Sequence, residues 1–256
     1  MDPNSPAHRE AAAVDNRWVY PLLAIIGIVG SSIVWNRLLR DRPQVQDRRL
    51  VYVYLAALAG AFLGAKVAYL FAEGWIVWRH YGENPALAWQ QWLTGKSITG
   101  ALLGGYGAVE LTKWGTGYRK PTGDLFAVIV PLGLMLGRVG CLFSGCCPGI
   151  PIDAAWYTLT DHAGVARWPA VPIELAFNAT MALVAALCWR RGWLQGQVFH
   201  VYLIAYGAFR FTHEFMRDTP DMIGPLSGYQ LLALAILTLG ATRYIQRANP
   251  GSAKVG

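Results

Sequence analysis

The sequence predicts an all-α membrane protein of about seven transmembrane helices, and three observations carry that expectation. First, 54% of the 256 residues are hydrophobic and only 14% are charged, where a soluble domain carries about a quarter charged residues. Second, apolar runs close to the ~20 residues that cross a bilayer lie near 18–36, 51–72, 97–112, 124–144, 172–189, 196–215 and 228–245. Third, many of the eleven Trp and twelve Tyr fall near the ends of these runs, as the aromatic belts of membrane proteins do. A soluble protein with buried helices would need polar faces, and PLLAIIGIVGSSIVW and LLALAILTLGA have none.

Residues 1–17 are polar and lack the short apolar core and small-residue cleavage site of a signal peptide, so the first run reads as a retained anchor. The loop after it, RLLRDRPQVQDRR, holds five Arg. The second run leads into a Trp-rich segment at 73–96, expected as a helix lying in the interface. The third run is short and Gly-rich, and the fourth ends in GRVGCLFSGCCPG. Pro and Gly mark irregular backbone at 148–172. Three more runs follow, and 248–256 reads as a frayed tail, leaving 18–247 as one membrane domain.

Lys113, Arg119, Lys120, Arg190, Arg191, Arg243, Arg247 and Lys254 fall on the same side as the five Arg of the first loop. Only Arg9, Arg17, Arg79, Lys96, Arg167 and Arg217 fall on the other. The positive-inside rule then puts the N-terminus outside and the C-terminus in the cytoplasm. The net charge of +7 is read as this topology signal plus attraction to anionic membrane lipids, with no nucleic acid expected as a partner.

Lys66, Arg138 and Arg210, with Glu110, Glu174 and Glu214, fall within the runs or close to their ends. A charge at mid-bilayer costs at least about 2.5–3.5 kcal/mol, so such residues face a bundle interior or an aqueous cavity. Structural pairing, such as Arg210 with Glu214 one turn on, and snorkelling of Lys66 are the plain readings. The functional reading starts from AYGAFRFTHEFMR, where Tyr206, Arg210, Glu214 and Arg217 recur at helical spacing along one stripe. A guanidinium fork suits phosphate, so Arg138 and Arg210 from different runs are expected to clamp one phospholipid headgroup. The glycines of ITGALLGGYGAV and PLGLMLGRVG read first as close helix packing, with Gly100, Gly104 and Gly105 also leaving room for an acyl chain.

GRVGCLFSGCCPG resembles the GRxGNFxNGExxG signature of the prolipoprotein diacylglyceryl transferases. KSITGALLGG resembles that family's SFHGGLIG, and YGAFRFTHEFMRDTPD its YGxxRxxxEFxRxPD. Weaker likenesses are GAKVAYLF to GGRxGYxxFY, RWPAVPIE to RHPSQLYE and GYQLLAL to MGQxLS, all in family order. The resemblance implies a bacterial inner-membrane enzyme that moves the diacylglyceryl group of phosphatidylglycerol onto the lipobox cysteine of a preprolipoprotein signal peptide. Arg138 and Arg210 would neutralise the phosphate as glycerol phosphate leaves, with Glu214 and Tyr206 orienting Arg210 or handling a proton. Lys66, Thr99, Gly100, Cys141, Ser144, Cys146, Gly149, Glu174 and Arg217 match further substrate-facing positions. No metal and no soluble cofactor is implied.

The sequence also departs from the pattern. Thr99 stands where the family has the histidine of SFHGG, Cys141 where it has asparagine, and Ser144, Gly145 and Cys146 where it has NGE. In the RHPSQLYE stretch Arg167, Pro169 and Glu174 survive, while Trp168, Val171 and Ile173 differ. A divergent member is expected, and two alternatives stay open: a related enzyme with another acceptor, or a non-catalytic lipid-binding protein. The C-x4-C-C spacing does not match usual zinc spacing. Helix packing, a Cys141–Cys146 disulfide, and a thiol made reactive by Arg138 are the readings left for the cysteines.

Overall fold

The computed structural model describes residues 19–41, 47–81, 83–161 and 163–248. The polar segment 1–17, His162 and tail residues 249–256 lie outside the described residues. Each apolar run is helical: α1 (Val19–Arg40), α2 (Arg49–Tyr69), α5 (Ile98–Thr116), α6 (Gly123–Ser144), α7 (Ala170–Arg191), α8 (Val198–His213) and α9 (Gly228–Ala248). Between α2 and α5 lie α3 (Trp75–Tyr81) and α4 (Pro85–Thr94). By length and composition, three helices among the described residues can cross a membrane: Arg49–Arg79, Gly123–Ser144 and Ala170–Arg191.

The 73–96 segment is two helices rather than the one expected. A π turn at Leu70–Gly74 carries α2 straight into α3. Pro85 then opens α4 at its first position, where its missing N–H is no loss, and the Asn84 carbonyl accepts from the Ala88 N–H at 3.2 Å.

The described residues form two compact units. One comprises the described residues among 19–41, 122–198 and 216–218. Here α6 lies between α1 and α7, with Trp35 of α1 tilted on Phe126 of α6 at 5.1 Å between ring centroids. Asp124, in the first turn of α6, accepts from the Gly196 and Val198 N–H groups at 2.6 and 3.2 Å, tying down the turn after α7. The segment after α6, expected to be irregular, is the middle of a small ladder. Gly149 bridges to Arg217 on one side and Pro151 to Arg167 on the other, and Arg167 belongs to the hairpin of β1 (Leu159–Thr160) and β2 (Ala166–Arg167).

The other unit comprises the described residues among 47–121, 199–215 and 219–248. Its centre is the α2–α5 crossing, where Gly60 and Gly64 meet Gly100 and Gly104. A Cβ on Gly60 would lie 2.6 Å from the Gly104 carbonyl, and one on Gly64 2.8 Å from the Gly104 Cα. This is the small-residue packing of membrane helices. The backbone of α2 therefore fills the space that Gly100 and Gly104 were expected to leave for an acyl chain. The strands β3 (Asp221–Ile223) and β4 (Leu226–Ser227) lead into α9.

Candidate active site

In the first unit the site grows from the facing sides of α6 and α7. Arg138 sits two turns before the end of α6 and Glu174 in the first turns of α7, both almost wholly buried. Their side chains form an ion pair, and Arg217 Nη1 lies 2.8 Å from the other carboxylate oxygen of Glu174. Two guanidiniums therefore share one carboxylate. Ions so buried are retained only with partners.

Arg217 is not on the helical stripe predicted for it. The α-helix stops at His213 and a 3-10 turn covers Glu214–Met216, so Arg217 leaves the helix and enters the ladder beside Gly149. Gly149 is needed there because a Cβ would lie 2.7 Å from that of Trp168. Arg167, from β2, pairs with Asp161 at 2.6 Å and Asp218 at 2.8 Å and donates to the Gly149 carbonyl at 3.2 Å. The hydrogen bond from Arg167 is the main cause that holds the Asp161 carboxyl below its ordinary range.

The cysteines follow directly from how α6 ends. Gly145, at φ +59°, donates to the Leu142 carbonyl at 3.3 Å, and Cys146 donates to that of Cys141 at 3.2 Å. This bond pair is the Schellman motif, which brings the side chains of those last two residues together. Cys147 also has a left-handed backbone, φ +64°, rare for a residue with a Cβ. The result is that the Cys141, Cys146 and Cys147 sulfurs lie within 4.8 Å of one another. All three are free thiols, so the bridged alternative, a Cys141–Cys146 disulfide, is not formed. Arg138 Nη1 lies 3.9 Å from Cys141 Sγ. Hydrogen bonds from Cys141 and Cys146, backed by Arg217 and Arg138, hold the Cys147 thiol well below the usual cysteine value. The reciprocal bonds push Cys146 up. Ser144 turns its hydroxyl back to the Gly140 carbonyl at 2.9 Å.

In the second unit Arg210 Nη2 lies 2.6 Å from Glu214 Oε2. Glu214 Oε1 accepts from Thr219 Oγ1 at 3.0 Å and Ser227 Oγ at 3.4 Å. Ser227 and Gln230 form a capping box at the start of α9, with bonds of 2.8 and 3.3 Å. Gln230 also donates to the Phe211 carbonyl at 3.3 Å. The beginning of α9 thus fixes the end of α8 and the carboxylate that orients Arg210. Tyr206 is buried one turn before Arg210, its ring 5.9 Å from that of Tyr202.

The remaining expected residues of this unit have structural partners. Thr99 is buried and shares a 2.7 Å hydrogen bond with Ser97, whose hydroxyl caps α5 by accepting from Gly100 N at 3.3 Å. Lys66 donates to the carbonyls of Trp92, Leu93 and Gly95, closing the C-terminal end of α4. His213 is buried and stacked on Phe209, with ring centroids 5.0 Å apart. Glu73 was not foreseen. It accepts from Tyr229 at 2.7 Å across 156 residues of sequence, a pairing with no local signal. Ser227 and Gln230 were also missed, although their S-x-x-Q spacing signals a helix start.

Apolar helices, three of them long enough to cross a membrane, that bury ion-paired guanidiniums define a helical membrane protein. A sequence profile of the prolipoprotein diacylglyceryl transferases matches residues 13–246, and the chain belongs to that family. It is 30% identical over 250 residues to a phosphatidylglycerol–prolipoprotein diacylglyceryl transferase of Methylococcus capsulatus, covering 90% of this chain and 92% of that one. Against the enzyme of the same name from Rhodospirillum rubrum the identity is 32% over 260 residues, with 91% and 89% covered. For that of Geobacter sulfurreducens it is 30% over 240 residues, with 88% of each chain covered.

Proposed function

We propose that this protein transfers the diacylglyceryl group of phosphatidylglycerol to the lipobox cysteine of prolipoproteins, releasing glycerol phosphate. The observation that carries this reading is the pair of buried guanidinium–carboxylate groups, Arg138–Glu174–Arg217 and Arg210–Glu214, in a chain of this family. The acceptor thiol loses its proton, and its sulfur forms a bond to the glyceryl methylene carbon. The carbon–oxygen bond to phosphate breaks, and its electron pair leaves with glycerol phosphate. Arg138 and Arg210 stabilise the anion as it develops, and they need no reorganisation because carboxylates already orient them. Glu174 and Glu214 are the positioning residues, Arg217 shares the first, and Tyr206, one turn before Arg210, helps orient Arg210 or handles a proton. Lys66, Thr99, Gly100, Cys141, Ser144, Cys146 and Gly149 are the further substrate-binding candidates in this reading.

The reading includes a seven-span domain in the bacterial inner membrane with the N-terminus outside, supported by the seven apolar helices and by the bias of Lys and Arg among the loops. The test is transfer of labelled phosphatidylglycerol to a synthetic lipobox peptide by the purified protein in detergent. Label on the peptide cysteine, lost in Arg138→Ala and Arg210→Ala, is expected. No label, in an assay where another family enzyme works, overturns the reading in favour of a different acceptor, which Thr99 at the family's histidine position would then explain.

A further inference from the structure

The reaction proposed above needs an acceptor thiol without its proton, and the Thr99 hydroxyl cannot take that proton near neutral pH. The sulfurs of Cys141, Cys146 and Cys147 offer another route. We propose that these three cysteines form a thiolate site for a zinc-class cation, whose open fourth position binds the acceptor cysteine as its thiolate. The catalytic role rests on the transfer reaction proposed above, whereas the site itself does not.

Geometry comes first. A zinc–sulfur bond of about 2.3 Å sets neighbouring sulfurs of a tetrahedral site about 3.8 Å apart. The three sulfurs here lie within 4.8 Å of one another, so small side-chain rotations bring them onto one ion. Linear spacing argued against a metal because C-x4-C-C is not a knuckle pattern. The Schellman turn achieves the same end by folding Cys146 back over Cys141. The left-handed backbone of Cys147 then aims the third thiol at the other two.

Ligand chemistry and charge agree. Thiolates select zinc and similarly thiophilic ions over magnesium or calcium. Three protein ligands, rather than four, are the pattern of a zinc site that keeps a position for substrate. Zinc with three thiolates carries one negative charge. The adjoining group brings two guanidiniums, Arg138 and Arg217, to one carboxylate, and cations nearby favour the charged, thiolate form of the ligands. Arg138 reaches the ligand sulfur of Cys141 directly, the kind of outer contact that orients a metal ligand.

A thiol that coordinates such an ion is deprotonated outright, and its proton passes to water. The bound sulfur then attacks the glyceryl carbon, the carbon–oxygen bond breaks and glycerol phosphate departs with the electron pair. Nothing is oxidised or reduced.

The full-length protein, reduced and chelator-treated in detergent, would be loaded with Zn2+ or Co2+. The expected results are one zinc per chain by mass spectrometry, and thiolate-to-cobalt absorption with the intense visible bands of tetrahedral Co2+. Cys146→Ser and Cys147→Ser, both beyond the helix end, weaken binding by more than the ~10–100-fold that outer-shell changes cost. Cys188→Ser, in α7, leaves it unchanged. A lipobox peptide shifts the visible cobalt bands, and its Cys→Ser version does not. No thiolate–cobalt band in folded protein overturns the site, and so does metal binding that survives both serine substitutions. Transfer activity that persists at full rate after the metal is removed overturns the catalytic role. A peptide-responsive metal site without any lipid transfer would keep the site and instead refute the transfer reaction.

Discussion

Glu174→Gln is the most informative single substitution, because one buried carboxylate holds two buried cations. It keeps the shape of the side chain and removes its charge, making the group one unit more positive. With charge centres about 4 Å apart and an effective dielectric of about 20, each guanidinium loses roughly 4 kcal/mol of attraction. The unfolded state also loses a well-solvated carboxylate, so the net effect is smaller. Removing one partner of a buried pair typically costs about 3–5 kcal/mol, a large share of a total stability of about 5–15 kcal/mol. At about 2–4 °C per kcal/mol for a chain of this size, the melting point in detergent should fall by roughly 6–20 °C. Tryptophan fluorescence during heating reads this directly. The double variant Glu174→Gln with Arg217→Gln returns the net charge to its original value. It should be less destabilised than the sum of the single variants, by about 1–3 kcal/mol of coupling. A Glu174→Gln protein within about 0.5 kcal/mol of wild type, or an additive cycle, would refute the shared-carboxylate account.

Arg138→Ala and Arg210→Ala should each lower transfer by about 10²–10³-fold, as loss of a charge-stabilising donor does. Only Arg138→Ala should also weaken cobalt binding, by about 10–100-fold, and equal cobalt affinities in both would count against the contact with Cys141. Gly64→Leu should disrupt the α2–α5 crossing, costing at least about 1–3 kcal/mol by thermal unfolding. Gly107→Ala, which meets nothing within 4 Å, should be neutral or stabilise by up to about 1 kcal/mol. Because the Asp161 carboxyl is held below its ordinary value, its ion pair with Arg167 is complete above pH ~4 and is lost as pH falls through the lower folded value. Proteolysis of the 148–172 segment should therefore quicken on acidification, and Asp161→Asn should remove that dependence; an unchanged profile in the variant would refute it.

The helices were legible because each apolar run is long and bounded by turn residues or charge, and such runs have few alternatives. The end of α8 was not. Periodicity carried the stripe on to Arg217, yet DTP at 218–220 gave a contrary signal, since residues before proline avoid helix. The helix stops at His213, and Arg217 gains a partner on α7 that no spacing rule could name. Lys66 shows a different limit. Its place in an apolar run was read as snorkelling or substrate contact, whereas the carbonyls it meets belong to a helix end 26–29 residues away. Pairings such as Glu73 with Tyr229, or Arg167 with both Asp161 and Asp218, depend on which loops meet. That information resides in the tertiary fold rather than in any window of sequence.

The departures from the family pattern make chemical sense as a set rather than as separate losses. A phospholipid donor needs cations where its phosphate leaves, and Arg138 and Arg210 are retained and buried with carboxylate partners. A thiol acceptor needs its proton removed, and that is the capacity an imidazole at position 99 would supply and Thr99 does not. The same chain carries thiols at 141 and 146, which resemble asparagine and glutamate positions of the signature, and adds a third at 147. The fold gathers all three beside the Arg138–Glu174–Arg217 group. Random drift into cysteine would give no reason for Cys147 to hold a left-handed backbone, a conformation that costs about 1–2 kcal/mol. A site that needs three sulfurs at one point does give that reason.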